Sequence, residues 1–159
     1  MAKYFDLHSH VAWGIDDGMP SKEDAASSLK LAKSDGIIGI CSTPHFIPGQ
    51  LDVHVYNEIV TRQLELKDMS PVPIYFGGEV MMNSEFIDGL DLDLYPTING
   101  SRYMLVEYNV LRDIHSIDYR DDCLYELKVR GFIPVIAHIE RYFHSGLDYS
   151  IIDNWIDMG

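Results

Sequence analysis

Short apolar runs alternate along this chain with longer stretches of helical period, the pattern of parallel strands joined by crossover helices. The runs Tyr4 to His8, Ile37 to Thr43, Ile74 to Gly77, Tyr103 to Glu107 and Ile133 to Ala137 read as strands. Most are apolar at consecutive positions, so burial on both faces is expected, as in a parallel sheet. Between the first two, Ser21 is placed to cap a helix with Asp24 three residues on. Ala25, Leu29 and Ala32 fall on one apolar stripe of that helix, and Gly36 stops it. A second helix is predicted over about Tyr56 to Lys67, ahead of the Pro71-Val72-Pro73 break. A third runs over Tyr119 to Arg130, with Gly131 as its stop, and a fourth carries Ile151, Ile152, Trp155 and Ile156. The fold class is therefore α/β, and 159 residues with 47% apolar content fit one domain over 1–159.

Charge narrows the classes of function. With 25 acidic residues against 12 basic ones the net charge is −13, a field that repels phosphate backbones and anionic membranes, so nucleic acid is not an expected partner. A cluster of divalent cations reverses the local potential, which keeps a phosphorylated substrate compatible with that surface. Cys41 and Cys123 are far apart and form no Cys-x-x-Cys pair, so both read as free thiols of a cytoplasmic chain. The start Met-Ala-Lys-Tyr-Phe-Asp shows no basic-then-apolar leader. No apolar run approaches the ~20 residues that span a bilayer, so neither export nor membrane insertion is expected.

The chemistry lies where the strands hand over to polar residues. The first ends in Asp6-Leu7-His8-Ser9-His10, and strand alternation puts its two imidazoles on one side, where a single cation can take both. Alone, a His-x-His is as readily an exposed polar strand end. The other ends, however, carry His45, Glu79, Glu107 and His138, and from His10 onward these residues follow one another at intervals of 28 to 35, about one βα unit of roughly 30 residues. Parallel α/β folds bring such ends to one rim. Carboxylates gathered there repel one another unless cations bind, and imidazole with carboxylate suits manganese, iron or zinc. Of Asp16-Asp17-Gly18, one aspartate could reach the same rim, although the segment also reads as a plain turn. Arg141 either clamps two phosphate oxygens or pairs with adjacent Glu140. His54, His115 and His144 read as surface residues, and Tyr108 and Tyr142, beside ligand candidates, as core or pocket wall.

Asp6-Leu7-His8-Ser9-His10, Gly14-Ile15-Asp16-Asp17-Gly18, Ser42-Thr43-Pro44-His45 and Ala137-His138-Ile139-Glu140-Arg141-Tyr142 together resemble the polymerase-and-histidinol-phosphatase superfamily, over essentially the whole chain. The Gly-Ile-Asp-Asp-Gly loop, Gly77-Gly78-Glu79 and the Ser101-Arg102-Tyr103 approach to Glu107 look like the manganese-dependent protein-tyrosine phosphatases encoded with bacterial capsule and exopolysaccharide genes. The resemblance implies a distorted parallel (β/α)7 barrel with up to three divalent cations, manganese first, iron or zinc as alternatives. It implies one cation on His8, His10 and Glu79, a second on Glu79, Glu107 and His138, and a third on Asp17 and His45. Arg141 would receive the phosphate, with Glu107 and His45 as further catalytic residues.

The implied reaction is metal-assisted hydrolysis of phosphotyrosine without a phosphoenzyme. The implied substrate is the tyrosine-rich tail of a capsule-regulating kinase, in the cytoplasm, and an oligomer is compatible with this. A cysteine nucleophile six positions before an arginine is excluded, because Ile47 and Val129 stand at that spacing from Cys41 and Cys123. Family members continue to two further strand ends that carry an Asp-x-His. This sequence stops at Gly159, so the resemblance implies the first five or so βα units, short of a closed barrel, with two metal sites each lacking one ligand. Two other readings stand beside it. One is another phosphomonoesterase of the superfamily, acting on histidinol phosphate or nucleotides. The other is an inactive metal-binding or partner-binding module whose open sheet edge invites pairing.

Overall fold

The computed structural model describes residues 3–159. Its strand segments, all paired in parallel, are β1 (Tyr4–Ser9), β2 (Ile37–Ser42), β3 (His45–Phe46), β4 (Ile74–Phe76), β5 (Glu79–Met81), β6 (Tyr103–Glu107) and β7 (Ile133–Ile136). Between and after them run α1 (Lys22–Ser34), α2 (Val53–Met69), α3 (Phe86–Asp91), α4 (Arg120–Val129) and α5 (Tyr149–Met158). One sheet has the order β1-β2-β4 and the other β3-β5-β6-β7.

The two sheets arise because two of the expected strands are broken. The second breaks at Thr43-Pro44, where proline has no N–H to give to a ladder. The third breaks at Gly77-Gly78, where a Cβ on residue 78 would collide with the Phe46 ring and Pro96. Pairing nevertheless continues through the break, since the Gly77 N–H donates to Ser42 O at 3.0 Å and the Glu79 N–H to Pro44 O at 2.9 Å. The result is one bent parallel wall in the order β1, β2 with β3, β4 with β5, β6, β7. Beyond the break, His45 and Glu79 are direct register partners. They therefore open β3 and β5 instead of finishing a strand, a change in position from the sequence reading.

Local signals explain most helix boundaries. Ser21 Oγ accepts the Asp24 N–H at 3.1 Å, Ala25 and Leu29 are buried, and Gly36, at φ +95°, follows the end of α1. α2 starts earlier than its periodicity suggested, because Asp52 caps it by accepting the His54 and Val55 N–H groups at 2.7 and 2.9 Å. α3 escaped the sequence reading; with six residues it is too short to show a period. α1 and α2 cover the first sheet over a core that includes Leu29, Ile40, Leu66 and Ile74, while α4 and α5 pack Leu124, Leu127 and Trp155 into the larger core with Val80 and Val106.

One expectation changes, and one pair of alternatives is decided. β1 is not buried on both faces: Tyr4, Phe5 and Leu7 are 57%, 45% and 51% exposed, because β1 is the edge of its sheet and has a strand neighbour on one side only. Tyr108 and Tyr142 belong to the core and not to a pocket wall. Their rings meet edge-to-face, Tyr142 Oη accepts the Tyr108 N–H, and Tyr108 Oη donates to Arg120 O. No helix among the described residues is long and apolar enough to cross a membrane.

Candidate metal centre

Each strand end aims its polar residue differently. β1 changes register between Asp6 and Ser9, and there the His8 N–H turns to its own neighbour, Asp6 Oδ1, at 3.2 Å. Thr43, just past β2, accepts the Ser9 N–H on its hydroxyl and donates its own N–H to Ser9 O, both at 2.9 Å, which anchors the strand end between the two histidines. Glu107 closes β6. His138 follows β7 in a left-handed conformation, φ 30° and ψ 53°. That conformation is unfavourable for a residue with a Cβ, and from it the imidazole meets Glu79 Oε1 at 2.9 Å.

The side chains meet on Glu79, which is only 1% exposed. Its Oε2 lies 3.1 Å from His8 Nε2, 3.0 Å from His10 Nε2 and 3.3 Å from His45 Nδ1, and its Oε1 lies 2.9 Å from His138 Nε2. His8 Nε2 and His10 Nε2 are themselves 3.1 Å apart. Three donor atoms about 3 Å from one another are spaced like neighbouring ligands of a six-coordinate ion with bonds of roughly 2.1 Å. A second group holds His45, Glu79 and Glu107, and a third His10, Asp16, Asp17 and His45. His45 Nδ1 stands 2.9 Å from Glu107 Oε1, yet the two are too poorly aligned for a hydrogen bond, and both atoms are buried without a partner. Buried polar atoms orphaned side by side are what a cation would satisfy, so the residues fit a metal centre.

Charge in the cluster follows from the contacts. Burial opposes ionisation of Glu79, but the contacts from His10 and His8 outweigh it and hold the carboxyl well below its ordinary range. Burial likewise favours neutral His10, but Asp16 and Glu79 prevail and push its pKa up to about 10. The Glu107 carboxylate beside its Nδ1 raises His45, against burial. Metal-free, the Glu79 and Asp16 carboxylates and the His10 and His45 imidazoles thus favour one another's charged forms.

All seven strand-end and loop residues suggested as ligands face one cleft of about 630 Å³: His8, His10, Asp17, His45, Glu79, Glu107 and His138, with Arg141 on its wall. Arg141 sits in the 3-10 turn Ile139–Tyr142, its N–H bonded to His138 O at 2.9 Å. Among the described residues it has no carboxylate partner, Glu140 included. His54, His115 and His144 are exposed and outside the cleft. Cys41 and Cys123 are free and buried, which pushes their pKa values up to about 11 and about 12 and makes thiolates unavailable.

The residue pattern by itself left open which of Asp16 and Asp17 reaches the rim, and the family resemblance named Asp17 as the ligand. Asp17 is 84% exposed at the side chain, 3.3 Å from His45 Nε2. Asp16 turns inward, where one oxygen faces His10 Nδ1 at 2.8 Å and the His45 N–H at 3.0 Å while the other accepts the Gly18 N–H at 2.9 Å. A carboxylate so placed is of the kind that orients a metal-binding histidine through its far nitrogen. Asp16→Asn would place an NH₂ group against one of these donors. We expect the variant to fold and to bind Mn²⁺ roughly ten- to a hundredfold more weakly in chelator competition; wild-type affinity would remove the orienting role.

Comparison with known proteins agrees with the geometry. The family model for capsular polysaccharide synthesis, CpsB/CapC, matches residues 4–159. CapC of Staphylococcus aureus is 32% identical over 142 residues, which cover 86% of this chain and 54% of that protein. Tyrosine-protein phosphatase CpsB of Streptococcus pneumoniae is 30% identical over 161 residues, covering 97% of this chain and 64% of CpsB. This chain thus spans roughly half to two thirds of the length of these relatives. A solved structure from work on YwqE of Bacillus subtilis and CpsB of S. pneumoniae, described as metal-dependent tyrosine phosphatases, superposes with a TM-score of 0.80 at 25% identity. It covers 98% of this chain and 64% of that one. The parallel α/β wall is therefore the polymerase-and-histidinol-phosphatase type of fold.

Proposed function

This chain belongs to the CpsB/CapC family of capsular polysaccharide synthesis, and on that premise we propose that it works as a metal-dependent protein-tyrosine phosphatase. The observation that carries the reading is the buried Glu79 carboxylate with four imidazoles, His8, His10, His45 and His138, within 3.3 Å of its oxygens. His8, His10 and Glu79 would hold one divalent cation, Glu79 with Glu107 and His138 a second, and His45 with Asp17 a third. The family resemblance puts manganese first, and this nitrogen-and-oxygen donor set also suits iron or zinc. Bound there, such ions supply Lewis acidity and a water ionised near neutral pH.

The chain's own residues supply binding and orientation. Arg141, unpaired and on the wall of the cleft, offers a two-pronged donor to phosphate oxygens. Ile47, Met81, Val110 and Leu111 line the same cleft, and Leu111 is 86% exposed, so an apolar lip is available to an aromatic ring next to the phosphate. That lip favours phosphotyrosine over aliphatic phosphates such as histidinol phosphate. The tail of a capsule-regulating tyrosine kinase is the physiological partner we assign, and the two free buried thiols suit work in a reducing cytoplasm.

The test is phosphate release from phosphotyrosine and phosphoserine peptides and from histidinol phosphate, with and without Mn²⁺. Metal-stimulated turnover that prefers phosphotyrosine is expected; bound metal with no turnover on any of them would favour a binding module. In the active protein, Arg141→Ala should raise KM roughly ten- to a hundredfold, the worth of a charge-assisted contact to phosphate, and leave metal content unchanged. An equal loss of metal would assign Arg141 a structural role instead.

A further inference from the structure

Gln63 is buried like the carboxylates Glu79 and Glu107, at 5% exposed, yet it hydrogen-bonds to neither. It lies on the buried face of α2 between Ile59 and Leu66, one turn away on either side. A primary amide in that apolar stripe is unfavourable unless its N–H groups are satisfied. Here Nε2 donates to Ser42 O at 3.0 Å and to Gly77 O at 2.9 Å. Ser42 is the last residue of β2, and Gly77 comes directly after β4. Ser42 O also takes the Gly77 N–H, so one side chain clasps both strands where they leave one sheet for the other. His45 stands three residues beyond Ser42 and Glu79 two beyond Gly77. Two backbone hydrogen bonds cross the break, from Gly77 N–H to Ser42 O and from Glu79 N–H to Pro44 O, and because Pro44 has no N–H to add, the two bonds of the Gln63 amide double the number that fix it.

We propose that Gln63 is a positioning residue for the metal centre: its amide sets the geometry of the strand break and thereby the placement of His45 and Glu79 as a register pair facing the cleft. This rests on the reading of the His and Glu cluster as a metal centre. The amide lies outside the cleft and acts through two carbonyls and the short segments that follow them.

The experiment compares Mn²⁺ affinity, by competition with a fluorescent chelator, and the visible absorption of the Co²⁺ form, which reports ligand geometry. Gln63→Met keeps the side chain's length and removes both donors; Leu66→Val, on the same buried face, is the packing control. Gln63→Met is expected to fold, to bind Mn²⁺ roughly ten- to a hundredfold more weakly, and to shift the Co²⁺ bands. Leu66→Val is expected to melt lower with affinity and spectrum intact. If Gln63→Met does not fold, Gln63→Leu, which also lacks both donors, carries the same expectation. Unchanged affinity and spectrum in the Gln63 variant, or the same loss in Leu66→Val, overturns the positioning role and leaves the metal centre standing. A wild-type chain that binds neither ion removes the metal reading itself and this role with it.

Discussion

Glu79→Ala should leave a folded chain whose Mn²⁺ affinity falls by roughly a hundredfold or more, beyond the ten- to hundredfold typical of changes outside the ligand set. The size follows from position. One Glu79 oxygen serves His8, His10 and His45 and the other serves His138, so a single truncation takes a donor from two of the proposed cation positions at once. Glu79→Gln separates charge from shape, since it retains the carbonyl oxygen and removes the negative charge that the two proposed cations would share. We expect it to bind metal more weakly than wild type and better than alanine. The decisive measurement is metal per chain after dialysis, by atomic emission, alongside circular dichroism to establish folding. Full metal content in folded Glu79→Ala would sink the bridging assignment.

Metal binding should strengthen steeply with pH. In the metal-free protein His10 keeps its proton up to about pH 10, and a cation can use the imidazole only once that proton leaves. One proton displaced per ion gives about a tenfold gain in affinity per pH unit, hence roughly a hundredfold between pH 6 and pH 8. Calorimetry in buffers of different ionisation enthalpy would detect the released proton directly.

The metal-free fold should run the other way. His10 is raised above its ordinary 6.5, so the stability it contributes is complete below that value and is lost as pH climbs toward about 10. Glu79 is depressed below its ordinary 4.5, so its contribution is present above that value and is lost as the solution is acidified. The metal-free melting temperature should therefore peak between about pH 4.5 and 6.5 and decline toward pH 9, while the Mn²⁺-loaded protein gains over the same rise. A metal-free melting temperature that does not fall above pH 6.5 would remove His10 as the proton carrier.

Much of this molecule is legible without coordinates. The Ser21 cap, the Ala25 and Leu29 stripe and the Gly36 stop predict α1 because caps and periodicity act within a few residues. The recurrence of His or Glu at intervals of one βα unit predicts that His10, His45, Glu79, Glu107 and His138 share a rim, and all of them line one cleft. Misreadings fall where a distant neighbour decides. Asp52 lengthened α2 as an unrecognised cap, and β1 lost its second buried face because nothing among the described residues covers that sheet edge.

What the sequence by itself determined is therefore the inventory: an α/β chain, the order of its longer strands and helices, and the side chains available near each strand end, written in local patterns and in their recurrence along the chain. The tertiary structure alone decided how that inventory is used. It broke two strands so that His45 and Glu79 pair in register, turned Asp16 inward and Asp17 outward, and set Gln63 across the break. His138 meets Glu79 from 59 residues away at 2.9 Å, and no local period reports such a meeting. Hydrogen bonds of that span form only after packing has fixed both partners, so which lone pairs converge is a property of the folded wall and not of any segment in it.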